Sequence, residues 1–309
     1  MNYCFGVDIG GTTVKIGLFE ETGTIVEKWE IPTNTLADGE AILPDIAFSL
    51  KTKIEERKLS EEDILGIGVG VPAPVTAEGI VNGSANLGWK YKEVKKEMEE
   101  LTGLKAYIGN DANVAALGEM WKGGGAGEKN MIMVTLGTGV GGGVIIDGKM
   151  LVGNNGAGGE IGHICVNYEE NDRCGCGNKG CLEQYASATG IVRLAEQKLK
   201  TEKRETILNK AAITAKDVFD AVKAGDEVAD EIAAEFGKYL GYGLANLAAV
   251  VNPAVFVIGG GVSKAGEVLI PYIERAFFAD KNVRFVLAQL GNDAGICGSA
   301  KLVLDEKKN

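Results

Sequence analysis

Histidine is nearly absent from this chain: one, His163, stands among 309 residues. Any role for an imidazole therefore falls on that position. No apolar run reaches the length of a membrane-spanning helix, and there is no repeat at solenoid periods and no low-complexity tract. The opening Met1-Asn2-Tyr3-Cys4-Phe5-Gly6-Val7-Asp8 has neither a basic region nor a long apolar stretch. No signal peptide is expected from it, and the expected location is the cytoplasm. An excess of basic residues is missing too: 32 Lys and Arg face 43 Asp and Glu, a net charge of −11. That balance argues against nucleic acid and anionic membrane as partners, and a polyanionic substrate would need local basic groups. No Walker lysine is present, because Gly148-Lys149 and Gly237-Lys238 lack the following Ser or Thr and the spacing glycine.

Glycine, by contrast, is abundant: 45 residues, about twice ordinary usage. The glycines cluster, which marks ligand loops and tight turns rather than disorder. One cluster carries chemistry. His163 ends Gly159-Glu160-Ile161-Gly162-His163, and eleven residues on comes Cys174-Gly175-Cys176-Gly177-Asn178-Lys179-Gly180-Cys181. His163, Cys174, Cys176 and Cys181 form a closed Cys₃His set, the tetrahedral shell of structural zinc. The intervening glycines let the backbone wrap one ion. Cys4, Cys165 and Cys297 read instead as small hydrophobes in a reducing compartment. Cys165 is the alternative to one ligand; its apolar, strand-like run Ile164-Cys165-Val166 counts against that. Glu160 and Glu183 flank the knot, so a bound ion would fix two carboxylates in space.

Length allows two compact lobes or one large domain. Strands are expected at Tyr3 to Ile9, Val14 to Phe19, Ile25 to Ile31, Ile64 to Val71, Tyr107 to Ile108, Met131 to Leu136, Gly142 to Ile146, Lys149 to Val152, Ala254 to Ile258 and Arg284 to Leu287. Helices are expected at Ile42 to Arg57, Asp111 to Trp121, Gln184 to Lys200, Ala215 to Lys223, Glu227 to Val251, Glu267 to Phe278 and Ala294 to Leu304. Asp147-Gly148 is a hairpin turn, and the mixed Glu and Lys run from Lys90 to Glu100 reads as a solvated helix face. Strands alternating with helices give an α/β fold. A smaller α/β lobe is expected over 1–115, completed by the C-terminal helix 294–309, with a larger α/β lobe over 116–293 carrying the zinc loop. The lobe boundary is set near 112 to 122, and the tail from Asp305 to Asn309 is expected to fray.

Three loops suit phosphates. Asp8-Ile9-Gly10-Gly11-Thr12-Thr13-Val14-Lys15 places a carboxylate at a strand end, then bare amides, two hydroxyls and a lysine. Such amides cradle phosphate oxygens, and Asp8 suits magnesium held through water; an ordinary glycine hairpin is the equal alternative. Leu136-Gly137-Thr138-Gly139-Val140-Gly141-Gly142-Gly143 matches a dinucleotide fingerprint at Gly137, Gly139 and Gly142, but a strand comes next where that motif needs a helix. Ile258-Gly259-Gly260-Gly261-Val262-Ser263 joins a strand to a helix and suits a nucleoside or phosphate. Asn110-Asp111 lies after a strand and opens a helix. The residues alone read Asp111 as an N-cap before they read it as a base held ionised by the helix terminus.

Two phosphate hairpins and a later nucleoside loop resemble the layout of the actin, hexokinase and heat-shock chaperone ATPases. More narrowly, the chain resembles the ROK family of sugar kinases, its bacterial glucokinases above all. The motifs run from Asp8-Ile-Gly-Gly-Thr-Thr-Val-Lys15 through Gly70-Val-Pro-Ala-Pro-Val75, Asn110-Asp111-Ala-Asn113 and Leu136-Gly-Thr-Gly-Val-Gly-Gly-Gly143 to Gly159-Glu-Ile-Gly-His163 and Cys174-Gly-Cys-Gly-Asn-Lys-Gly-Cys-Leu-Glu183. Ala73 stands where many members carry glycine. The resemblance implies a two-lobed actin/hexokinase-like, ribonuclease H-like fold with a ligand cleft between the lobes. It implies that Asp111 is the catalytic base and that Asn110, Asp111, Gly139, Glu160, His163 and Glu183 contact a hexose. Gly10, Gly11, Thr12, Thr13, Lys15, Thr138 and Gly260 would hold ATP, with Asp8 near Mg²⁺. Zinc would be structural, one ring nitrogen of His163 binding it and the other reaching the sugar. The implied reaction makes glucose 6-phosphate and ADP from glucose and ATP, in a homodimer or homotetramer without nucleic acid or membrane partners. Fructose, mannose, allose and N-acetylmannosamine are the rival sugars. A sugar-responsive transcription regulator is the remote rival, disfavoured because Asp8 leaves no room for a preceding helix-turn-helix. Trp89 and Trp121 are expected to pack rather than to stack on sugar.

Overall fold

The computed structural model describes residues 2–279 and 282–307. In chain order its elements are strands β1 (Tyr3–Ile9), β2 (Thr13–Glu20) and β3 (Ile25–Pro32), the single turn α1 (Leu36–Gly39), α2 (Ile42–Arg57), β4 (Ile64–Val71), α3 (Val94–Thr102), β5 (Ala106–Asn110) and α4 (Asp111–Lys122). Next come β6 (Met131–Leu136), β7 (Val140–Ile146), β8 (Lys149–Met150), α5 (Glu183–Ala186), α6 (Ala188–Leu199), α7 (Ala215–Lys223), α8 (Glu227–Val251), β9 (Val255–Gly259), α9 (Ile270–Ala276), β10 (Arg284–Leu287) and α10 (Ala294–Glu306). Of the expected frayed tail, Lys308 and Asn309 lie outside the described residues.

By its contacts the chain divides into two units. One comprises Met1–Gly127, Gly143–Gly159 and Leu290–Asn309; the other comprises Glu128–Gly142 and Glu160–Gln289. The described strands form two five-stranded sheets, ordered β3-β2-β1-β4-β5 and β10-β9-β6-β7-β8.

In the first unit β1 pairs antiparallel with β2 and parallel with β4, and β4 runs parallel to β5. Apolar side chains on one face of this sheet (Phe5, Val7, Ile16, Leu18, Val69) pack with Ile42, Ile46 and Leu50 of α2. Cys4 and Phe19 join Ile296, Cys297, Ala300 and Val303 of α10 in a second cluster. Two glycines permit the approach of α10. A Cβ at Gly68 would overlap the backbone of Ser299, and one at Gly298 would overlap the carbonyl of Val114 on α4. Ser299, fully buried, donates to the carbonyl of Val7 at 2.8 Å, so the hydroxyl is satisfied. Trp89 is 4% exposed and donates to the carbonyl of Gly39, a packing role as the sequence suggested.

In the second unit β6 and β9 are parallel, as are β9 and β10. The long α8 starts at Asp226, whose side chain accepts from the Ala229 N–H, and stops at Asn252, a left-handed residue before Pro253. Both stop signals are read from sequence.

Several expectations shift. The helix expected from Gln184 to Lys200 is broken: Ser187 is extended and its side chain caps α6. The run from Glu267 to Phe278 opens as a 3₁₀ turn, Glu267–Leu269, before α9. Lys90 to Lys92 lie outside α3, and Val94 and Met98 on it are buried, so that helix is not wholly a solvated face. Ile164 to Val166 make one isolated bridge, Cys165 to Cys181, rather than a strand.

Candidate functional site

The first unit supplies two groups. At the end of β1, Asp8 lies opposite Lys15 across the hairpin, where directly paired side chains interact. Burial raises the Asp8 pKa, and the Lys15 charge opposes the rise. A Cβ at Gly295 would strike this carboxylate, so the start of α10 is shaped around it. The turn between the strands is closed by Gly10 N–H to Thr13 at 3.0 Å. Thr33 then binds it twice: its hydroxyl donates to the Gly10 carbonyl at 2.6 Å and its N–H to the Thr12 carbonyl at 2.9 Å. Gly11 and Thr12 are exposed, and Thr13 and Lys15 are half-buried.

The second group is at the β5–α4 junction. Asn110 is the N-cap: its Oδ1 accepts from the Asn113 N–H at 3.1 Å. Its Nδ2 donates to the Ala73 carbonyl at 3.2 Å and to Asp111 Oδ1 at 3.1 Å. Asp111 is therefore the first helical residue, not the cap. Its Oδ1 also accepts from the Ala112 N–H at 2.8 Å, and the half-buried carboxylate sits at the positive end of α4. Asn110 and the buried Asn113 line a pocket of ≈ 330 Å³ with Thr76, Gly79, Lys95 and Gly156.

The second unit gathers the remaining residues around Glu183. Its Oε2 accepts from the Val140 N–H at 3.0 Å, and its Oε1 lies 3.6 Å from Cys174 Sγ. A Cβ at Gly139 would overlap Oε2, so a side chain there would displace the Glu183 carboxylate. Gly162, in the 3₁₀ turn Ile161–His163, stacks on the backbone of Val140, and Gly260, at φ +84, stacks on that of Leu136. The second glycine loop, the turn bearing His163 and the Gly260 loop thus converge. After Gly260 the chain forms a 3₁₀ turn, Val262–Ala265, ahead of the Glu267–Leu269 turn that leads into α9. Glu160 is exposed, and its carbonyl accepts the His163 N–H at 3.1 Å.

The donor atoms of His163, Cys174, Cys176 and Cys181 all lie within 4.8 Å of one another. His163 Nδ1 is 3.8 Å from Cys174 Sγ, and the sulfurs of Cys176 and Cys181 are 3.6 Å apart. A tetrahedral zinc with Zn–S near 2.3 Å has S–S edges of about 3.8 Å, so the cluster fits that ion. Burial pushes the Cys181 thiol up to about 12 and raises Cys174; a bound cation is what converts such thiols to ligating thiolates. Cys165 stays outside this group of four.

A second layer pins the knot. Gln184 accepts from the Cys181 N–H and donates to the Asp172 carbonyl. Glu170 accepts from Tyr185 and Arg193. Burial pushes the Glu170 carboxyl up, but hydrogen bonds from Tyr185, the Asp172 N–H and Arg193 outweigh it and hold the pKa at about 2.

Comparison with known proteins fits this geometry. The family model described as "ROK family" matches residues 4–306. The chain belongs to the ROK family. Among ROK relatives, the glucokinase of Halalkalibacterium halodurans is 45% identical over 98% of this chain and 96% of its own length. The ROK glucokinase of Streptomyces griseus, solved with glucose and AMPPNP, aligns at TM-score 0.75 and 34% identity, covering 97% of this chain and 99% of that one. The ROK hexokinase of Thermus thermophilus aligns at TM-score 0.84 and 30% identity over 99% and 100% of the two chains. The α/β fold of this chain is thus the two-lobed fold of ROK sugar kinases. Among the described residues no helix is long and apolar enough to cross a membrane.

Sequence reasoning missed some residues of the candidate site. Thr33 lies outside the first glycine motif. Ser187, Ala188 and Thr189 fall at the unforeseen helix break, where Ala188 N–H donates to the Gly137 carbonyl at 2.7 Å and the Thr189 hydroxyl to the Thr138 carbonyl at 2.9 Å. The available signal was two hydroxyl residues before Gly190 in an otherwise apolar helical pattern.

Proposed function

We propose that this chain transfers the γ-phosphoryl group of ATP to the 6-hydroxyl of glucose. One observation carries the mechanism: Asn110 performs the helix capping, so the Asp111 carboxylate beside it has no structural duty as the cap. Asp111 accepts the proton of the 6-hydroxyl. The sugar oxygen then bonds to the γ-phosphorus, and the bond from phosphorus to the bridging oxygen breaks. Its electron pair leaves with ADP. The Asn110 amide and the Ala112 N–H orient Asp111 for that step, and the N-terminus of α4 favours its charged form.

Asn110, Glu160, His163 and Glu183 hold the sugar hydroxyls, and Gly139 lets the second glycine loop approach them. His163 turns Nδ1 to the thiols, which leaves Nε2 for a hydroxyl. The loops at Gly10 to Thr13 and Gly137 to Gly139, with Lys15 and Gly260, hold the nucleotide. Asp8 would hold magnesium, which neutralises charge on the phosphates when bound. His163, Cys174, Cys176 and Cys181 would hold zinc as a staple, fixing His163 and, through Cys181 two residues before it, the start of α5 at Glu183.

Phosphate transfer to a panel of sugars, monitored by ADP release, tests the assignment. The expected result is a kcat/KM for glucose above those for fructose, mannose, allose and N-acetylmannosamine. A higher value for any of these reassigns the substrate.

A further inference from the structure

Both glycine loops share a device that the glycine motifs themselves do not contain. In each, a threonine from outside the loop donates its hydroxyl to a loop carbonyl. Thr33, just past β3, binds the Gly10 carbonyl at 2.6 Å, and its own N–H binds the Thr12 carbonyl at 2.9 Å. Thr189, in the first turn of α6, binds the Thr138 carbonyl at 2.9 Å, while its neighbour Ala188 binds the Gly137 carbonyl at 2.7 Å. Ser187 packs against Thr189, their hydroxyl oxygens 2.9 Å apart, and gives its own proton to the Glu183 carbonyl at 2.7 Å.

In a planar trans peptide a C=O and the next N–H point in opposite directions. Fixing the carbonyls of Gly137 and Thr138 against α6 therefore turns the N–H groups of Thr138 and Gly139 away from α6. Fixing those of Gly10 and Thr12 does the same for the N–H groups of Gly11 and Thr13. Glycine-rich loops otherwise have the freedom to reverse such peptides, and a reversed peptide would present carbonyl lone pairs to an anion. The break between α5 and α6 acquires a purpose on this view, because only an extended Ser187 brings Ala188 and Thr189 onto the loop.

We infer that Thr33 and Thr189 are positioning residues that aim the loop amides at the phosphates of the nucleotide. The inference rests on the kinase reading for the identity of the anion, and the experiment separates the two. Thr189→Val and Thr33→Val keep the β-branched shape and remove the hydroxyl; Thr189→Ser and Thr33→Ser restore it. Calorimetric affinity for AMPPNP is measured first, then KM for ATP, KM for glucose and kcat on the full chain. Each valine variant is expected to weaken AMPPNP binding and raise the KM for ATP by roughly 5- to 20-fold, the loss of one hydrogen bond. The KM for glucose should stay within about twofold, and each serine variant should return to within about twofold of the parent. Unchanged nucleotide affinity in both valine variants overturns the inference. So does an equal rise in the KM for glucose, which would report general loosening, or a serine variant as impaired as its valine counterpart. A parent chain that binds AMPPNP but phosphorylates no hexose contradicts the proposed function instead, and the affinity comparison still decides the role of the threonines.

Discussion

Replacing Asp111 with asparagine separates chemistry from scaffold at a single atom pair. Asparagine has nearly the same shape, and its Oδ1 can still accept from the Ala112 N–H and the Asn110 amide, the contacts made by Asp111 Oδ1 at 2.8 and 3.1 Å. What disappears is the negative charge at the start of α4, worth about 0.3–1 kcal/mol at a helix N-terminus. In a chain of 309 residues that corresponds to a fall in Tm of about 0.5–1.5 °C. The proton acceptor disappears with it. General-base catalysis contributes about 10²- to 10⁴-fold, or about 3–5.5 kcal/mol of barrier. The expected pattern is therefore a kcat at least about 100-fold lower, glucose binding within a few-fold of the parent, and a nearly unchanged melting curve. Coupled ADP release, titration of glucose against intrinsic fluorescence and calorimetry measure the three. A kcat within threefold of the parent refutes the assignment of Asp111 as base. A collapse of the melting curve would show instead that the carboxylate is structural.

The zinc knot and its support give two further expected outcomes. Metal analysis of the purified chain should find about one zinc per chain, and removal by a chelator should abolish turnover while destabilising the second unit. Full activity in a verified metal-free sample would contradict the staple. Glu170 gives a pH signature. Its folded pKa, about 2, lies below the unfolded value, so the stability it contributes is fully present above about pH 4.5 and lost as pH falls towards 2. Glu170→Gln should therefore be less stable than the parent at pH 6, with the gap closing as pH drops to 3; urea midpoints across that range that stay parallel contradict this role.

Much of the fold was legible because its signals are local. The β1–β2 hairpin arises from two apolar runs around Gly10-Gly11, and the end of α8 from its Asn252-Pro253 stop. The Cys₃His set was legible for the same reason, since all but one of its ligands fall within one short glycine-rich turn. The break at Ser187 was not. Glu183 to Leu199 keeps helical periodicity across it, and what interrupts it is a tertiary demand, the tie of Ala188 and Thr189 to the second glycine loop. The 3₁₀ turn after Gly260 was not read either: it is held by short contacts such as the Ser263 hydroxyl on the Gly260 carbonyl at 2.8 Å, which no apolar periodicity announces. Asn110 outcompeting Asp111 for the cap could not be decided from adjacent residues that both favour that position. The deviations from local rule thus concentrate where the candidate site is built, as expected when function overrides propensity.

A crystal structure of the chain with glucose bound bears most directly on the role of Asp111. The primary hydroxyl of the sugar should lie within about 2.6–3.2 Å of an Asp111 carboxylate oxygen. Glu160, His163 Nε2 and Glu183 should be found on the ring hydroxyls. Glucose bound with its primary hydroxyl beyond reach of Asp111, or held by none of these side chains, contradicts the mechanism.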